Sequence, residues 1–99
     1  MTLPVKVQNR SHAPFPHGKA TFGLSYHLLS STGEILKFDN PRSYFEAPLQ
    51  PNSSLTVDLT INPPVKRGSY LLEIDLVWEG MLWFKEQGNP TCTVELNVI

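Results

Sequence analysis

The feature that most constrains how this chain folds is an alternation of apolar and polar residues with a period of two. The cleanest example sets apolar residues against polar ones, namely Leu55, Val57, Leu59 and Ile61 against Thr56, Asp58 and Thr60. The same alternation recurs in four other segments, Leu3–Val7, Phe22–Leu28, Tyr70–Trp78 and Cys92–Val98. In an extended strand, successive side chains point to opposite faces. We therefore expect strands that are each apolar on one face only.

Composition and turn residues also favour an all-β fold. The chain has only three alanines against nine prolines and six glycines, a balance that disfavours long helices. The segment Ser30–Gly33 predicts a turn, since glycine takes the positive φ that closes a hairpin onto Glu34–Phe38. Because each strand has one apolar face, a second layer must cover it. We predict one domain over residues 1–99, an antiparallel β-sandwich of about seven strands.

The near-neutral charge excludes two classes of partner. Eight basic and nine acidic residues give a net charge of −1 and an isoelectric point near 6.3. Nucleic-acid binding needs a clustered positive excess to contact phosphates, and a membrane-surface anchor needs a polybasic stretch. We therefore expect no nucleic-acid partner and no anchoring at a membrane surface.

Localisation and redox chemistry are constrained only by absences in the sequence. No apolar run approaches the roughly 20 residues of a membrane-spanning helix, so we expect no membrane insertion. The first residues, Met1–Val5, lack the charged and apolar regions of a signal peptide, which favours a cytoplasmic location. Cys92 is the only cysteine, which excludes an internal disulfide and cysteine-based zinc sites. We expect Cys92 to be a small buried residue.

No motif in the sequence indicates a metal or a cofactor. His12, His17 and His27 lack the close spacing of zinc ligands. The sequence contains neither a glycine-rich phosphate-binding loop nor a Gly-x-Ser-x-Gly nucleophile elbow. We therefore expect neither a metal site nor a cofactor.

Three motifs carry a family resemblance. They are Leu24-Ser25-Tyr26-His27, Gly68-x-Tyr70-x-Leu72 and Asp75-Leu76-Val77-x-Glu79-Gly80-x-x-Trp83-Phe84. With this pattern the chain resembles the immunoglobulin-like accessory domains of bacterial multidomain proteins. Such domains are appended to glycosyltransferases and methyltransferases of cell-surface polysaccharide assembly. The resemblance implies an immunoglobulin-like antiparallel β-sandwich with a non-catalytic role.

The resemblance also has implications for the first strand and for Tyr70. The opening strand, Leu3–Val7, is similar to the second strand of related sandwiches, so the first is either missing or supplied from upstream. The chain is then expected to be a fragment of a larger protein. Tyr70 stands where such sandwiches often form a tyrosine corner, in which the hydroxyl bonds to the backbone just upstream. The alternative is that Tyr70 only packs.

A polar pair is predicted on the face away from the core. In immunoglobulin-like topology, the strand carrying Tyr26 lies beside the strand carrying Asp75. His27 and Asp75 are both out of phase with the core, so we predict a cross-strand His27–Asp75 pair, joined by Arg42. The alternative is an unpaired imidazole on the surface. Without a neighbouring serine or cysteine nucleophile, such a pair is not a catalytic triad.

Two carboxylates are candidates for acid–base chemistry. Glu73 and Asp75 alternate onto one strand face, about 6–7 Å apart by strand rise. Paired carboxylates at that spacing serve in general acid–base catalysis and glycoside cleavage. The simpler interpretation is a solvated outer face, because nothing in the sequence supplies the walls of a deep pocket that would raise a carboxyl pKa.

The segment Trp78–Phe84 concentrates large apolar residues around one glycine. We expect Gly80 to mark a bulge that changes the phase of the strand, and we expect Trp78 to be buried. Trp83 has two possible placements. It either packs at the end of the sandwich, against Phe15, or belongs to an exposed platform.

An exposed aromatic platform would consist of Trp83 and Phe84 with Tyr44 or Phe45, and it could stack on sugars or dock a neighbouring domain.

Three functions remain open at this point. The first is a non-enzymatic module that docks or positions a neighbouring catalytic domain in a polysaccharide-assembly protein. The second is a carbohydrate-binding module, and the third is a small hydrolase that uses the carboxylates. The partner is accordingly a neighbouring domain or a glycan, and we expect a monomer in isolation. The ligand or partner surface is predicted to include six residues: Trp83, Phe84, Tyr44, His27, Asp75 and Arg42.

Overall fold

Eight β-strands and one short 3-10 helix make up the fold in the computed structural model, which describes residues 1–17, 21–89 and 91–99. The strands are β1 (Thr2–Gln8), β2 (Phe22–Ser30), β3 (Ile35–Lys37), β4 (Ser43–Tyr44), β5 (Ser54–Thr60), β6 (Gly68–Trp78), β7 (Leu82–Trp83) and β8 (Cys92–Val98). The 3-10 helix, Phe84–Gln87, lies between β7 and β8. The predicted fold is confirmed: the chain is an all-β, immunoglobulin-like antiparallel sandwich.

The larger sheet is built on β2 and β6, the two longest strands. They pair antiparallel from Phe22 opposite Trp78 to Ser30 opposite Tyr70. The outer edge of β2 pairs with β3 at one end and with β4 at the other. The outer edge of β6 pairs with β8 along most of its length and with β7 at its end. This sheet is therefore four strand positions wide.

In the described ranges the smaller sheet consists of β1 and β5, which pair antiparallel from Thr2 opposite Thr60 to Gln8 opposite Ser54. Its apolar face covers the larger sheet, as the period-two pattern requires. The residues buried between the sheets are Val7, Leu24, Tyr26, Phe45, Leu49, Val57, Leu59, Ile61, Leu72 and Ile74. Burial of each large apolar side chain contributes roughly 1.5–3 kcal/mol, so this core is the main source of stability.

Two predicted turn features are confirmed and one is wrong. Gly33, at φ 92°, closes the β2–β3 hairpin, where its N–H donates to Ser30 O. The Tyr70 hydroxyl donates to Lys66 O at 2.7 Å, which is the predicted tyrosine corner. Gly80 does not form a bulge. It lies at φ 74° in the turn between β6 and β7, a conformation that glycine adopts without steric cost.

Two residues predicted to be buried are exposed. Trp78 is 40% exposed because it ends β6 at the hairpin, although the Phe22 ring packs against it at 5.5 Å between centroids. Cys92 begins β8 in phase with the half-buried Val94, yet it is exposed. The covering layer does not reach this part of β8, so an inward-facing position is left open.

The opposite face of the larger sheet is also covered. The segment Phe38–Arg42, which links β3 to β4, and the segment Trp83–Lys85 lie against it. As a result the middle of β2 is buried on both faces. We refer to this second, smaller packed region as the outer layer.

Candidate functional site

The predicted His27–Asp75 pair is confirmed and forms the centre of the outer layer. His27 Nε2 lies 2.9 Å from Asp75 Oδ2, and the two residues are 0% and 4% exposed. In the β2–β6 register Asp75 is opposite Ser25, so His27 reaches it diagonally. The two side chains are out of phase with the core, as predicted, but they are not solvated. The outer layer seals them, which corrects the expectation of an exposed outer face.

The His27 ring is held at both nitrogens. Nδ1 lies 2.6 Å from the carbonyl oxygen of Phe38, which can only accept a hydrogen bond. Nδ1 therefore carries a proton. The contact between Nε2 and Asp75 needs a second proton, held either by the ring or by the carboxyl. With both nitrogens engaged, the ring has no site left to activate a nucleophile.

Asp75 also fastens the 3-10 helix to the sheet. Its Oδ1 accepts the backbone N–H of Lys85 at 3.1 Å, while Oδ2 takes the contact with His27. One buried carboxylate thus ties β6 to β2 and to the 3-10 helix.

Glu73, two residues before Asp75 on the same face of β6, is a second residue that binds the 3-10 helix. Its carboxylate accepts Lys85 Nζ at 2.6 Å and Thr91 Oγ1 at 2.9 Å. Burial alone raises the pKa of Glu73, but the hydrogen bonds from Lys85 and Thr91 outweigh it and hold the pKa below its ordinary value. Glu73 and Asp75 share a face, as predicted, but each carboxylate is bound to the fold.

The segment Phe38–Arg42 is anchored by polar groups of β2. Ser25 Oγ lies 3.1 Å from Asn40 O and 3.0 Å from Pro41 O, as the donor to both carbonyls. Asn40 Nδ2 donates to Tyr26 O at 2.8 Å. Since β3 and β4 pair with the two ends of the outer edge of β2, this side-chain amide satisfies a carbonyl in the middle of that edge.

Ser25 lies near His27 and Asp75 but does not complete a catalytic triad. Its hydroxyl is directed to the loop carbonyls and not to the imidazole. A triad requires the hydroxyl to donate to a free ring nitrogen, and both nitrogens of His27 are already occupied. The Ser-His-Asp composition of this cluster therefore serves the packing of the outer layer.

Arg42 does not join the His27–Asp75 pair, so that part of the prediction is wrong. Its Nε donates to Glu79 Oε1 at 2.8 Å, and Nη1 donates to Asp39 Oδ1 at 2.5 Å. The guanidinium lies over the Trp83 ring, 4.7 Å from its centroid. Partial burial lowers the pKa of Arg42, but the hydrogen bonds to Glu79 and Asp39 outweigh it and raise the pKa above its ordinary value.

The predicted aromatic residues point to two different faces. Trp83 packs in the outer layer, 4.6 Å from the His27 ring and 5.2 Å from the Phe38 ring between centroids. Phe84, the next residue, packs on the core side against Phe22 at 5.3 Å. Trp83 ends β7 and Phe84 begins the 3-10 helix, and their rings lie on opposite faces of the sheet, so they do not form one continuous platform.

The remaining aromatic predictions concern Phe15, Tyr44 and Phe45. Phe15 packs against Phe84 at 6.0 Å, not against Trp83. Tyr44 is half-buried and its hydroxyl donates to Glu79 Oε2 at 3.0 Å, whereas Phe45 is buried in the core. Tyr44 therefore belongs to the polar network that holds Arg42.

Sequence reasoning missed three residues of the outer layer, Ser25, Asn40 and Glu79. Ser25 carried a usable signal, because it shares the phase of His27 on β2. Asn40 and Glu79 lie in connections, where no periodicity reveals their partners. An exposed apolar pair was also missed: Trp78 and Met81, 40% and 66% exposed, flank the turn between β6 and β7.

Two kinds of feature are absent from the described residues. No group of three histidines, cysteines, aspartates or glutamates in the described ranges is arranged to hold a metal ion. Within the same ranges, no helix has the length and hydropathy needed to cross a membrane.

The chain was compared with protein-family models, curated proteins and solved structures. No family model, no curated protein and no solved structure matches the chain. The fold is therefore established by the strand pairing described above.

Proposed function

We propose that this domain is a non-catalytic immunoglobulin-like accessory module that docks or positions a neighbouring domain in a bacterial polysaccharide-assembly protein of the glycosyltransferase type. The observation that carries the proposal is the exposed apolar tip of the β6–β7 hairpin, residues Trp78–Met81. Trp78 and Met81 are two large apolar side chains that are 40% and 66% exposed. Tryptophan and methionine are enriched at protein interfaces, and tryptophan is among the residues whose truncation most weakens binding.

The polar surroundings of the hairpin tip support this proposal. Glu79, within the tip, accepts hydrogen bonds from Arg42 and Tyr44, so the apolar pair adjoins a fixed polar group. Protein interfaces commonly combine an apolar centre with a polar rim. The tip is also rigidly placed, since Glu79 N–H donates to Thr21 O at 3.1 Å and Met81 N–H donates to Trp78 O at 2.9 Å.

The hydrogen bonds made by the candidate acid–base residues support a non-catalytic role for the domain. His27, Asp75 and Glu73 each direct their polar atoms to partners within the domain. A general acid or base must instead reach a proton of the substrate. The glycosyltransferase context rests on the sequence resemblance carried by the three motifs.

Site-specific photocrosslinking tests the docking proposal. The probe is Met81→p-benzoylphenylalanine in the parent protein, expressed in the cells that produce it. We expect a crosslink to a glycosyltransferase-type or methyltransferase-type domain, and we expect Trp78→Ala to reduce its yield. The matched control is Ile35→p-benzoylphenylalanine, at a residue that is 54% exposed in β3.

Three results would contradict docking through the hairpin tip. They are the absence of a crosslink from position 81, an equal crosslink from position 35, and a crosslinked partner without such a domain. Mass spectrometry of the crosslinked peptide distinguishes the last case from the expected one.

The alternative is a carbohydrate-binding module, and the exposure of Trp78 favours it, since an open indole face can stack on a sugar. The docking proposal is preferred because Trp83, Phe84 and Tyr44 are each half-buried against other side chains. Titration with a panel of oligosaccharides, followed by amide and indole chemical shifts, separates the two. Saturating shifts at Trp78 would favour glycan binding, and no shift at millimolar sugar would exclude it.

A further inference from the structure

Among the described residues, no strand pairs with the edge of β1 that faces away from β5. The odd-numbered residues that flank β1 bond to the residues that flank β5: Met1 exchanges hydrogen bonds with Ile61, and Asn9 N–H donates to Ser53 O. In an antiparallel ladder such residues alternate with residues whose backbone groups point away. The N–H groups of Thr2, Lys6 and Gln8 therefore face the other edge, with which no strand pairs in the described part of the chain.

The position of proline agrees with this assignment. Pro4 is an even-numbered residue of β1, so the N–H it lacks is one that would have faced the free edge. Proline within sheets is confined to such positions. The edge still offers three donors and the carbonyl oxygens of the same even-numbered residues.

An apolar groove runs beside this free edge. Its volume is about 640 Å³, and its apolar lining includes Val5, Val7, Ile74, Leu76 and Phe84. The groove exists because a two-stranded sheet covers a sheet four strand positions wide. Cys92, at the far wall, is exposed despite its inward phase for the same reason. Apolar side chains entering the groove would cover this surface.

We propose that the free edge of β1 binds an extended peptide strand from another domain or protein, aligned antiparallel to β1. Alternate side chains of that strand are apolar and fill the groove, while the intervening side chains face solvent and include acidic residues. The charge follows from Lys6 and Arg10, both exposed along this edge. An acidic residue opposite Lys6 forms a favourable cross-strand pair. This mode is β-augmentation, in which backbone hydrogen bonds supply affinity and pockets supply specificity.

This surface is independent of the hairpin tip, so the proposal stands or falls separately from the crosslinking result. The probe is the peptide acetyl-Val-Glu-Val-Thr-Val-Glu-Val-amide, titrated into the isotope-labelled 99-residue chain. We expect saturating shifts at the amides of Thr2, Lys6 and Gln8. At a peptide concentration about ten times the Kd, hydrogen exchange of the Lys6 and Gln8 amides should slow about tenfold.

Two variants of one residue separate backbone pairing from charge. Lys6→Pro removes an outward N–H without removing a bond to β5, and it should weaken peptide binding about tenfold or more. Lys6→Thr keeps the N–H and removes the charge, so it should weaken binding less. The β2–β6 amide spectrum reports whether each variant remains folded. A peptide methylated at the backbone nitrogens that face β1 gives the same test on the unaltered protein.

Four results would overturn the proposal. They are no shift at millimolar peptide, unchanged binding of the N-methylated peptide, exchange protection on β8 instead of β1, and self-association of the chain through β1 in sedimentation. The last result would assign the edge to a second copy of this chain.

Discussion

The two faces of the larger sheet are buried by different means. On the core face, Leu24, Tyr26 and Leu72 pack against apolar side chains of β1 and β5. On the outer face, Ser25, His27 and Asp75 are just as buried, but each is held by directed hydrogen bonds to a loop or to the 3-10 helix. Adjacent residues of β2 are thus buried by different interactions, apolar packing for Tyr26 and hydrogen bonds for Ser25 and His27.

The difference lies in what each face tolerates. Apolar packing is non-directional, so a substitution that preserves volume costs little. A buried polar network depends on every partner, because a donor or acceptor left unsatisfied loses its hydration without compensation. The described part of the chain contains no buried side-chain nitrogen or oxygen atom without a hydrogen-bond partner. We therefore expect that removing one atom from the outer layer lowers the free energy of unfolding more than removing one atom from the core.

The largest effect is expected for Asp75→Ala. The substitution leaves Nε2 of His27 and the N–H of Lys85 without their acceptor in a buried site. Removing one member of a buried hydrogen-bonded pair, with two groups left unsatisfied, should cost about 3–5 kcal/mol. Urea unfolding followed by circular dichroism measures the loss, with Asp58→Ala, on the exposed face of β5, as the control. A loss no larger than that of the control would show that the outer layer does not depend on the pair.

On the core face, Leu59→Ala should cost about 2–5 kcal/mol, since Leu59 is fully buried and truncation leaves a cavity. The comparison with Leu59→Met is the more informative one. That substitution preserves volume and should cost less than about 1.5 kcal/mol. Equal losses for the two variants, measured by the same unfolding assay, would contradict the view that this face requires volume and not a particular shape.

Ser25→Ala tests the outer layer with a single hydroxyl. It removes the donor to the carbonyls of Asn40 and Pro41 while adding no volume, and the expected cost is about 1–2 kcal/mol. Hydrogen exchange should show opening confined to the segment Phe38–Arg42. Ser69→Ala is the matched control, because that hydroxyl bonds to Asn97 on the surface. If both variants are equally stable, the anchoring role of Ser25 is wrong.

The smallest effect is expected for Glu73→Gln and depends on pH. The folded pKa of Glu73 lies below its ordinary value of 4.5, so ionised Glu73 stabilises the fold above that pH. The unfolded chain binds the proton first as pH falls, so the contribution is lost progressively from about 4.5 down through the lower folded pKa. Near neutral pH the substitution should cost at most about 1 kcal/mol, because Lys85 is partly exposed.

The pH profile of unfolding between neutrality and pH 3 measures this contribution. Wild type should lose stability relative to Glu73→Gln as the pH falls below the ordinary carboxyl range. A constant difference between the two proteins over that range would contradict the lowered pKa of Glu73. Lys85→Met, which removes the cation and keeps the length of the side chain, should flatten the profile in the same way.

Much of the fold was predictable because a strand needs only local information. The period-two stripes located β1, β2, β5, β6 and β8, and the segment Ser30–Gly33 located a hairpin. The His27–Asp75 pair was predictable once the two strands were taken as neighbours. The turn at Gly80 and the exposure of Trp78 were not, because glycine permits a bulge and a turn equally well.

The candidate site was less predictable because its partners lie in connections. Arg42 bonds to Glu79, far along the chain, through a loop geometry that no alternation encodes. Burial of Asp75 depends on the outer layer, and this layer exists only because two connections fold back over the sheet. A charged residue out of phase with a core is ordinarily solvated, so the pattern alone indicated the wrong environment.

The sequence by itself determined which residues are extended, which side of each strand is apolar, and that two sheets must pack. Those properties follow from the pleat of single strands and from the free energy of removing apolar surface from water. Only the tertiary structure decided which polar groups meet on the outer face and which edge of β1 stays free. Hydrogen bonds and strand edges depend on the relative placement of distant segments, which the alternation of neighbouring residues does not specify.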